Sequence, residues 1–299
     1  MAPSTVRVAV TQHEPVWLDL DATVQKTCDI IGEAAKGGAK LVAFPEVWIP
    51  GYPAWIWNRV VDFELGVKYV ENSTAIDSPQ MRKICDAAAE HGISVALGFS
   101  ERAGKSVYIA QALIGDDGKI KVRRRKMKPT HMERTIFGDA SGECLSEVVD
   151  LPGVGRTGQL SCWESIQPLL KYYTFNQQED IHVAAWPPLD NFVDGSPGFW
   201  SMSLEGCRGL SQTDKAIDEV FKNRGTPVMG SSNIGSSAVI APDGRILTSP
   251  GQNEQLVFAD LDMSLVTKAK TFADASGHYS RPDLLWLGAD PKGKSTVNV

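Results

Sequence analysis

Short β-branched segments alternate with segments of helical spacing along this chain, and that alternation confines it to a layered α/β fold. Residues 6–11 (VRVAVT) read as a buried strand. Asp21 can cap the helix that follows, in which Val24, Cys28, Ile31 and Ala35 recur on one face until Gly37-Gly38 stops it. Residues 41–44 form the next predicted strand, 78–91 a helix and 93–99 a third strand. The pattern resumes with a strand ending at Leu160-Ser161-Cys162, a helix over 167–177 and a strand over 181–186 (IHVAAW) closed by Pro187-Pro188. Helices are expected over 198–213 and 214–224, and strands over 236–240, 246–247 and 255–261. Two Asp-Gly turns, IGDDGKI at 114–120 and IAPDGRI at 240–246, each predict a hairpin. They are either independent turns with the same local chemistry or the mark of a sheet built from two similar halves.

Composition narrows the function. Of 299 residues, 42% are apolar and 22% charged, which suits a globular domain and excludes a largely disordered chain. The net charge of −6 and a single short basic cluster (Arg123, Arg124, Arg125, Lys126 and Lys128) argue against nucleic acid. The most apolar stretch, 41–57, carries Glu46 and three prolines, so no membrane helix is expected. The N-terminus lacks a basic-then-apolar leader pattern. The five cysteines are odd in number, widely spaced and without a CxxC pair, so no disulfide framework, metal site or cofactor is expected. The expectation is a cytoplasmic protein with one domain over 1–299, its core over about 6–283 and a polar tail over 284–299.

Three residues carry possible chemistry. Cys162 lies at a strand-to-helix junction, where α/β folds place ligands. It reads as a small buried hydrophobe or, with a lowered pKa, as a nucleophile. Glu46 follows a buried strand and a proline; it is a water-facing loop carboxylate or a general base at the top of a sheet. Lys126 belongs to a solvated basic edge, or it stabilises developing negative charge. Glu133 is within reach of that lysine, or pairs with Arg134 or Arg125. A Cys-His pair would need a distant histidine, His131 or His182. His182, inside a strand, reads better as a core imidazole. The glycine-rich stretch 230–235 lacks the lysine of a phosphate loop.

Phe44-Pro45-Glu46, Arg125-Lys126 and Cys162-Trp163-Glu164 occur in the order of the Glu-Lys-Cys triad of the nitrilase superfamily, which the chain resembles from about Val6 to about Asp283. FPEVWIPGYP, RKMKPTHMER, CWESIQPLLKYY, HVAAWPP, GCRGLSQT and DASGHYSRPD are similar to the true nitrilase branch, in wording like that of fungal arylacetonitrilases and cyanide hydratases. The resemblance implies an α-β-β-α sandwich and homo-oligomers in which dimers build spirals. It implies Cys162 as nucleophile, Glu46 as general base, Lys126 as stabiliser of charge and proton donor, and Glu133 as a supporting carboxylate. Lys128, before Pro129, is the look-alike to set aside. The substrate implied is a small nitrile, converted to acid or amide. Trp48, Trp163 and Trp186 are the tryptophans expected to line the pocket; core packing is the competing role for Trp55 and Trp57 as well.

Two departures from the family pattern stand out. Ser165 occupies the position after Cys-Trp-Glu where a histidine is common. After Thr213 the chain passes at once to Asp214-Lys215, where the family continues into an apolar core strand. A core strand is therefore expected to be missing near 213–214. An inactive truncated or splice variant, kept as an assembly or binding protein, is the alternative from another class. Sequencing the transcript across this junction tests that expectation: an uninterrupted in-frame insert in the major transcript identifies the short junction as an artefact.

Overall fold

A computed structural model describes residues 4–57, 59, 61–187, 237–248 and 253–293. The expected helices over 198–224 and the junction near 213–214 lie outside those residues. The N-terminal elements are β1 (Thr5–Gln12), α1 (Leu20–Lys36), β2 (Leu41–Ala43), α2 (Phe63–Glu71), α3 (Pro79–His91), β3 (Ser94–Ala103), β4 (Ser106–Ile114) and β5 (Ile120–Arg125). They are followed by β6 (Val149–Leu151), β7 (Gly155–Ser161), α4 (Pro168–Asn176), β8 (Ile181–Ala185), β9 (Gln255–Asp262) and α5 (Ser264–Phe272).

Local chemistry sets most of the boundaries. Asp19, rather than Asp21, caps α1 by accepting from the Ala22 N–H at 3.0 Å. Asp21 sits in the first turn, where its charge meets the helix dipole. Ser78 caps α3, Pro79 opens it, and Gly92 closes it at φ 59°. β2 ends before Pro45, which has no N–H for a ladder. The first Asp-Gly turn joins β4 to β5 as an antiparallel pair with a register shift between Leu113 and Ile114, and Gly118 lies at φ 72°. The second yields a single bridge between Ile240 and Ile246, and no longer ladder continues from it among the described residues.

Two sheets result, one ordered β5-β4-β3-β2-β1-β9 and one ordered β6-β7-β8. Side chains alternate between the faces of the larger sheet, as a period of two requires. Ala9, Val42, Val95, Leu97, Ala110 and Ala112 meet Ile31 and Ala34 of α1 and Ile84 and Ala88 of α3. Val6, Val8, Leu41, Ala96 and Leu113 meet Leu151, Val154 and the partly buried Ile181 and Val183 of the second sheet. A helix–sheet–sheet stack is thus explicit, and α4 lies in sequence between β7 and β8 of the second sheet. Each buried aliphatic side chain in these layers contributes about 1.5–3 kcal/mol.

One close approach controls where β2 delivers the chain. At Gly98 of β3 an added Cβ would lie 2.1 Å from the Pro45 carbonyl oxygen and 3.1 Å from Glu46 Cα. Gly98→Ala must therefore displace the Pro45-Glu46 turn. We expect a loss of about 1–3 kcal/mol in stability by urea denaturation, typical of overpacking.

Candidate active site

The carboxyl ends of β2, β5 and β7 converge on one buried point. Glu46 leaves β2 through Phe44-Pro45 and anchors its N–H on the Trp186 carbonyl at 3.2 Å. Lys126 is the first residue past β5, held by its N–H on the Ile109 carbonyl at 2.7 Å. Cys162 is the first residue past β7 and starts a 3₁₀ turn, Cys162–Ile166. Its φ of 54° is left-handed, as are Val47 at 50° and His131 at 44°. Left-handed backbone at non-glycine residues costs of order 1–3 kcal/mol each and persists only where the surroundings enforce it. Three such residues adjoin the same cluster of side chains.

Within that cluster the Lys126 ammonium donates to Glu46 Oε1 and to Glu133 Oε2, both at 2.8 Å. All three side chains are buried. Glu133 sits in the 3₁₀ turn His131–Thr135, where it also accepts from the Thr130 N–H at 2.6 Å and the Tyr52 hydroxyl at 3.1 Å. Trp57 Nε1 in turn donates to the Tyr52 oxygen at 3.1 Å. Ser161 Oγ donates to Glu46 Oε1 at 2.7 Å, while Glu46 Oε2 is buried without a partner among the described residues. A carboxylate oxygen of Glu46, one of Glu133 and Cys162 Sγ lie within 4.8 Å of one another. By distance this is also a donor set for a cation. The Lys126 ammonium hydrogen-bonds both carboxylates and already stands in a cation's place.

The electrostatics leave room for one proton. Burial pushes the Glu46 carboxyl up to about 7, aided by Glu133 and opposed by Lys126 and Ser161. Burial works against the charge on Lys126, yet Glu133 and Glu46 hold its pKa well above the ordinary lysine range. Burial also raises the Cys162 thiol well above its usual value, against the pull of Lys126. Two carboxylates and one ammonium make a cluster of net charge −1. The thiol rests protonated beside a carboxyl poised to take its proton.

Behind this cluster lies a second buried network. Arg124 grips Glu164 with Nη1 on Oε2 at 2.7 Å and Nη2 on Oε1 at 2.8 Å, and its Nε lies 2.8 Å from Glu147 Oε2. Glu164 also accepts from the N–H of Met127 at 2.7 Å and of Ser161 at 3.0 Å. One carboxylate thus ties the exit of β5 to the exit of β7, and with them Lys126 to Cys162. Despite burial, Arg124 holds Glu164 below the usual carboxylate range. Glu147, capped by the Thr174 hydroxyl, is pushed up to about 8 by burial despite the same arginine. The alternation of β5 divides the basic run: Arg124 points in, while Arg123 and Arg125 share Glu101 on the other face. Sequence reasoning passed over Arg124, Glu164, Ser161 and Tyr52. One signal for part of this set was legible, the capping box Ser161…Glu164.

The predicted tryptophans separate. Trp186, 4% exposed, belongs to the apolar cluster that contains Cys162, with Val47, Tyr52 and Trp55, and Trp163 packs against that cluster. Trp48 is a correction: it is buried in the helix-side core, its ring tilted at 48° against Phe44 with centroids 5.4 Å apart, and its Nε1 donates to Thr27 Oγ1 of α1 at 2.8 Å. Val47 and Trp48 fall on opposite sides of the chain, so the neighbour of Glu46 takes the pocket side and Trp48 takes the core. Lys128 is exposed and pairs with Asp139 at 2.6 Å. His182 Nδ1 lies 2.9 Å from Glu179 Oε2, as a strand imidazole with a carboxylate partner. His131 lies 6.3 Å from the Trp57 ring.

Sheet ends that deliver a buried carboxylate, lysine and cysteine to one point define an α/β protein with a thiol-centred site. The chain belongs to the carbon–nitrogen hydrolase family, whose model matches residues 7–271. It is 54% identical to an arylacetonitrilase of Hypocrea virens, over 99% of this chain and 95% of that one. It is 54% identical to an arylacetonitrilase of Aspergillus niger, over 98% of this chain and 91% of that one. The Hypocrea alignment runs over 315 positions, more than the 299 residues of this chain, so that relative carries residues without a counterpart here. The fold matches the C. elegans NitFhit protein with a TM-score of 0.72 at 17% identity, over 99% of this chain and 70% of that one. It matches Saccharomyces cerevisiae Nit3, a nitrilase superfamily member, at 0.69 and 17%, over 93% and 97%. The α/β fold is therefore that of the nitrilase superfamily.

Arg124→Met strands Glu164 and Glu147 as buried carboxylates without their cation. We expect a loss of about 3–5 kcal/mol in urea denaturation, the cost of breaking a buried pair from one side. Lys128→Met, at an exposed pair, is expected to change stability by no more than about 1 kcal/mol.

Proposed function

We propose that this chain is a nitrilase that hydrolyses arylacetonitriles to the carboxylic acid and ammonia. The carrying observation is the buried Glu46–Lys126–Cys162 cluster in a chain 54% identical to arylacetonitrilases over nearly its whole length. Glu46 takes the Cys162 proton as the sulfur attacks the nitrile carbon. The C–S bond forms, one C–N π bond breaks, and the nitrogen takes the proton that Glu46 received, which gives a thioimidate and returns Glu46 to the carboxylate. Lys126 stabilises the negative charge that develops on that nitrogen, in a site where buried charges act strongly. Glu46 then removes a proton from water, which attacks the thioimidate carbon. Loss of ammonia leaves an acyl-thioester, and a second water releases the acid and restores the thiol. Collapse of the first tetrahedral adduct with loss of sulfur gives the amide instead. Glu133 holds the ammonium between the two carboxylates. Trp186 and Trp163 wall the apolar side on which an aromatic group would rest.

The family's oligomeric habit extends to this reading. Support comes from apolar surface that a monomer leaves open: Phe63 is 82% exposed, Phe272 83%, Leu285 81% and Trp286 78%. A reducing, cytoplasmic setting suits the free thiols of Cys28, Cys85, Cys144 and Cys162. Sedimentation of the purified chain tests assembly, and cell fractionation tests location.

Incubation with phenylacetonitrile, with acid, amide and ammonia quantified by mass spectrometry, tests the reaction. Cys162→Ala and Lys126→Met are expected to abolish turnover, and Lys128→Met to leave it near that of the parent. Absence of Cys162-dependent acid or amide from folded protein refutes the reading. Because Glu46 must be ionised to act as base, kcat/KM is expected to fall as pH drops below about 7.

A further inference from the structure

Glu46 has two carboxylate oxygens in different surroundings, and Ser161 causes much of the difference. Oε1 receives Lys126 Nζ at 2.8 Å and Ser161 Oγ at 2.7 Å. Oε2 is buried and has no partner among the described residues. Ser161 is itself fully buried, immediately before Cys162. It ends β7 and enters the capping box that fixes the cysteine turn, its N–H on Glu164 Oε2 at 3.0 Å. Its hydroxyl is therefore held by the same element that presents the thiol.

From this geometry we infer that Ser161 is a positioning residue: its hydroxyl, with Lys126, saturates Glu46 Oε1 and so reserves Oε2 for the Cys162 proton. The inference rests on the reading of Glu46 as the base. A carboxylate so held turns little, because any partial turn breaks both charge-assisted hydrogen bonds. The proton passes from Sγ to Oε2 while Oε1 keeps both donors, so no bond on Oε1 breaks during the transfer. The charged and titratable groups facing Glu46 are Lys126 beyond β5, Glu133 from its 3₁₀ turn, Cys162 beyond β7, and the Tyr52 and Tyr69 phenols. Among the groups that favour ionised Glu46, Ser161 is the uncharged one; its removal leaves the cluster's formal charge unchanged.

The test is the pH profile of Cys162 alkylation by iodoacetamide, followed by peptide mass spectrometry, alongside kcat/KM for phenylacetonitrile. Ser161→Ala and Ser161→Gly lack the hydroxyl, and Ser161→Thr retains it; Glu46→Gln is the control. Without the hydroxyl, ionised Glu46 loses a donor, so the acid limb of both profiles is expected to move up by about one pH unit. Ser161→Thr is expected to return it to the parent position. A merely structural serine would lower Tm and total activity without moving that limb. An acid limb unmoved in both hydroxyl-free variants, or still displaced in Ser161→Thr, overturns the inference while leaving Glu46 as base. A limb that survives unchanged in Glu46→Gln overturns the reading of Glu46, and the inference with it.

Discussion

A single ammonium inserted between two buried carboxylates organises this molecule's working end. Lys126 reaches Glu46 and Glu133 at 2.8 Å each, from three different segments of the chain. An isolated charge at such depth would cost several kcal/mol, so each of the three is tolerable only because the other two are present. That mutual dependence holds the end of β2, the end of β5 and the Thr130–Glu133 turn in one arrangement. Burial, aided by the two carboxylates and opposed by Lys126, keeps the neighbouring thiol protonated until a base removes its proton.

The second network gives that arrangement its rigidity. Arg124 and Glu164 are each two residues away, from Lys126 and from Cys162 respectively. Their bidentate pair joins the larger sheet to the smaller one where both deliver site residues. Reactive side chains must be held closely for efficient chemistry, and misplacement by about 1 Å can cost on the order of 100-fold in rate. Left-handed backbone at Val47, His131 and Cys162 is the local cost of that placement. Gly98, pressed against the Pro45 carbonyl, is the corresponding constraint from below.

The apolar surroundings and the polar cluster act together. Trp186, Trp55 and Val47 share a cluster with Cys162, so the polar groups work beside surface that excludes water. In such a setting a hydrogen bond to a carboxylate is worth more than at the surface, and small changes in donors shift the balance between Glu46 and the thiol. A nitrile suits this pocket because its carbon accepts a thiol and its nitrogen needs both charge stabilisation and a proton. The nearly full-length identity to arylacetonitrilases agrees with that chemistry.

Sequence alone determined the layered α/β class, most helix and strand positions near the N-terminus, and the cysteine, glutamate and lysine of the site. Those features follow from short-range periodicity, capping residues and motif wording, which are local. The capping boxes Thr130…Glu133 and Ser161…Glu164 are equally local signals, although motif wording is what marks Glu133 and nothing in that wording gives Glu164 a role. Tertiary structure decided the rest. The strand period of two turned Arg124 inward and Arg123 and Arg125 outward, a difference invisible in a run of three arginines. The turn after Glu46 sent Trp48 into the helix-side core instead of the pocket, because Thr27 of α1 offered its indole a partner. The second Asp-Gly turn carries one bridge, Ile240 to Ile246, among the described residues, because a turn alone does not supply a ladder. Ser161 and Tyr52 gained their roles from residues 115 and 81 positions away, a distance that no local pattern spans.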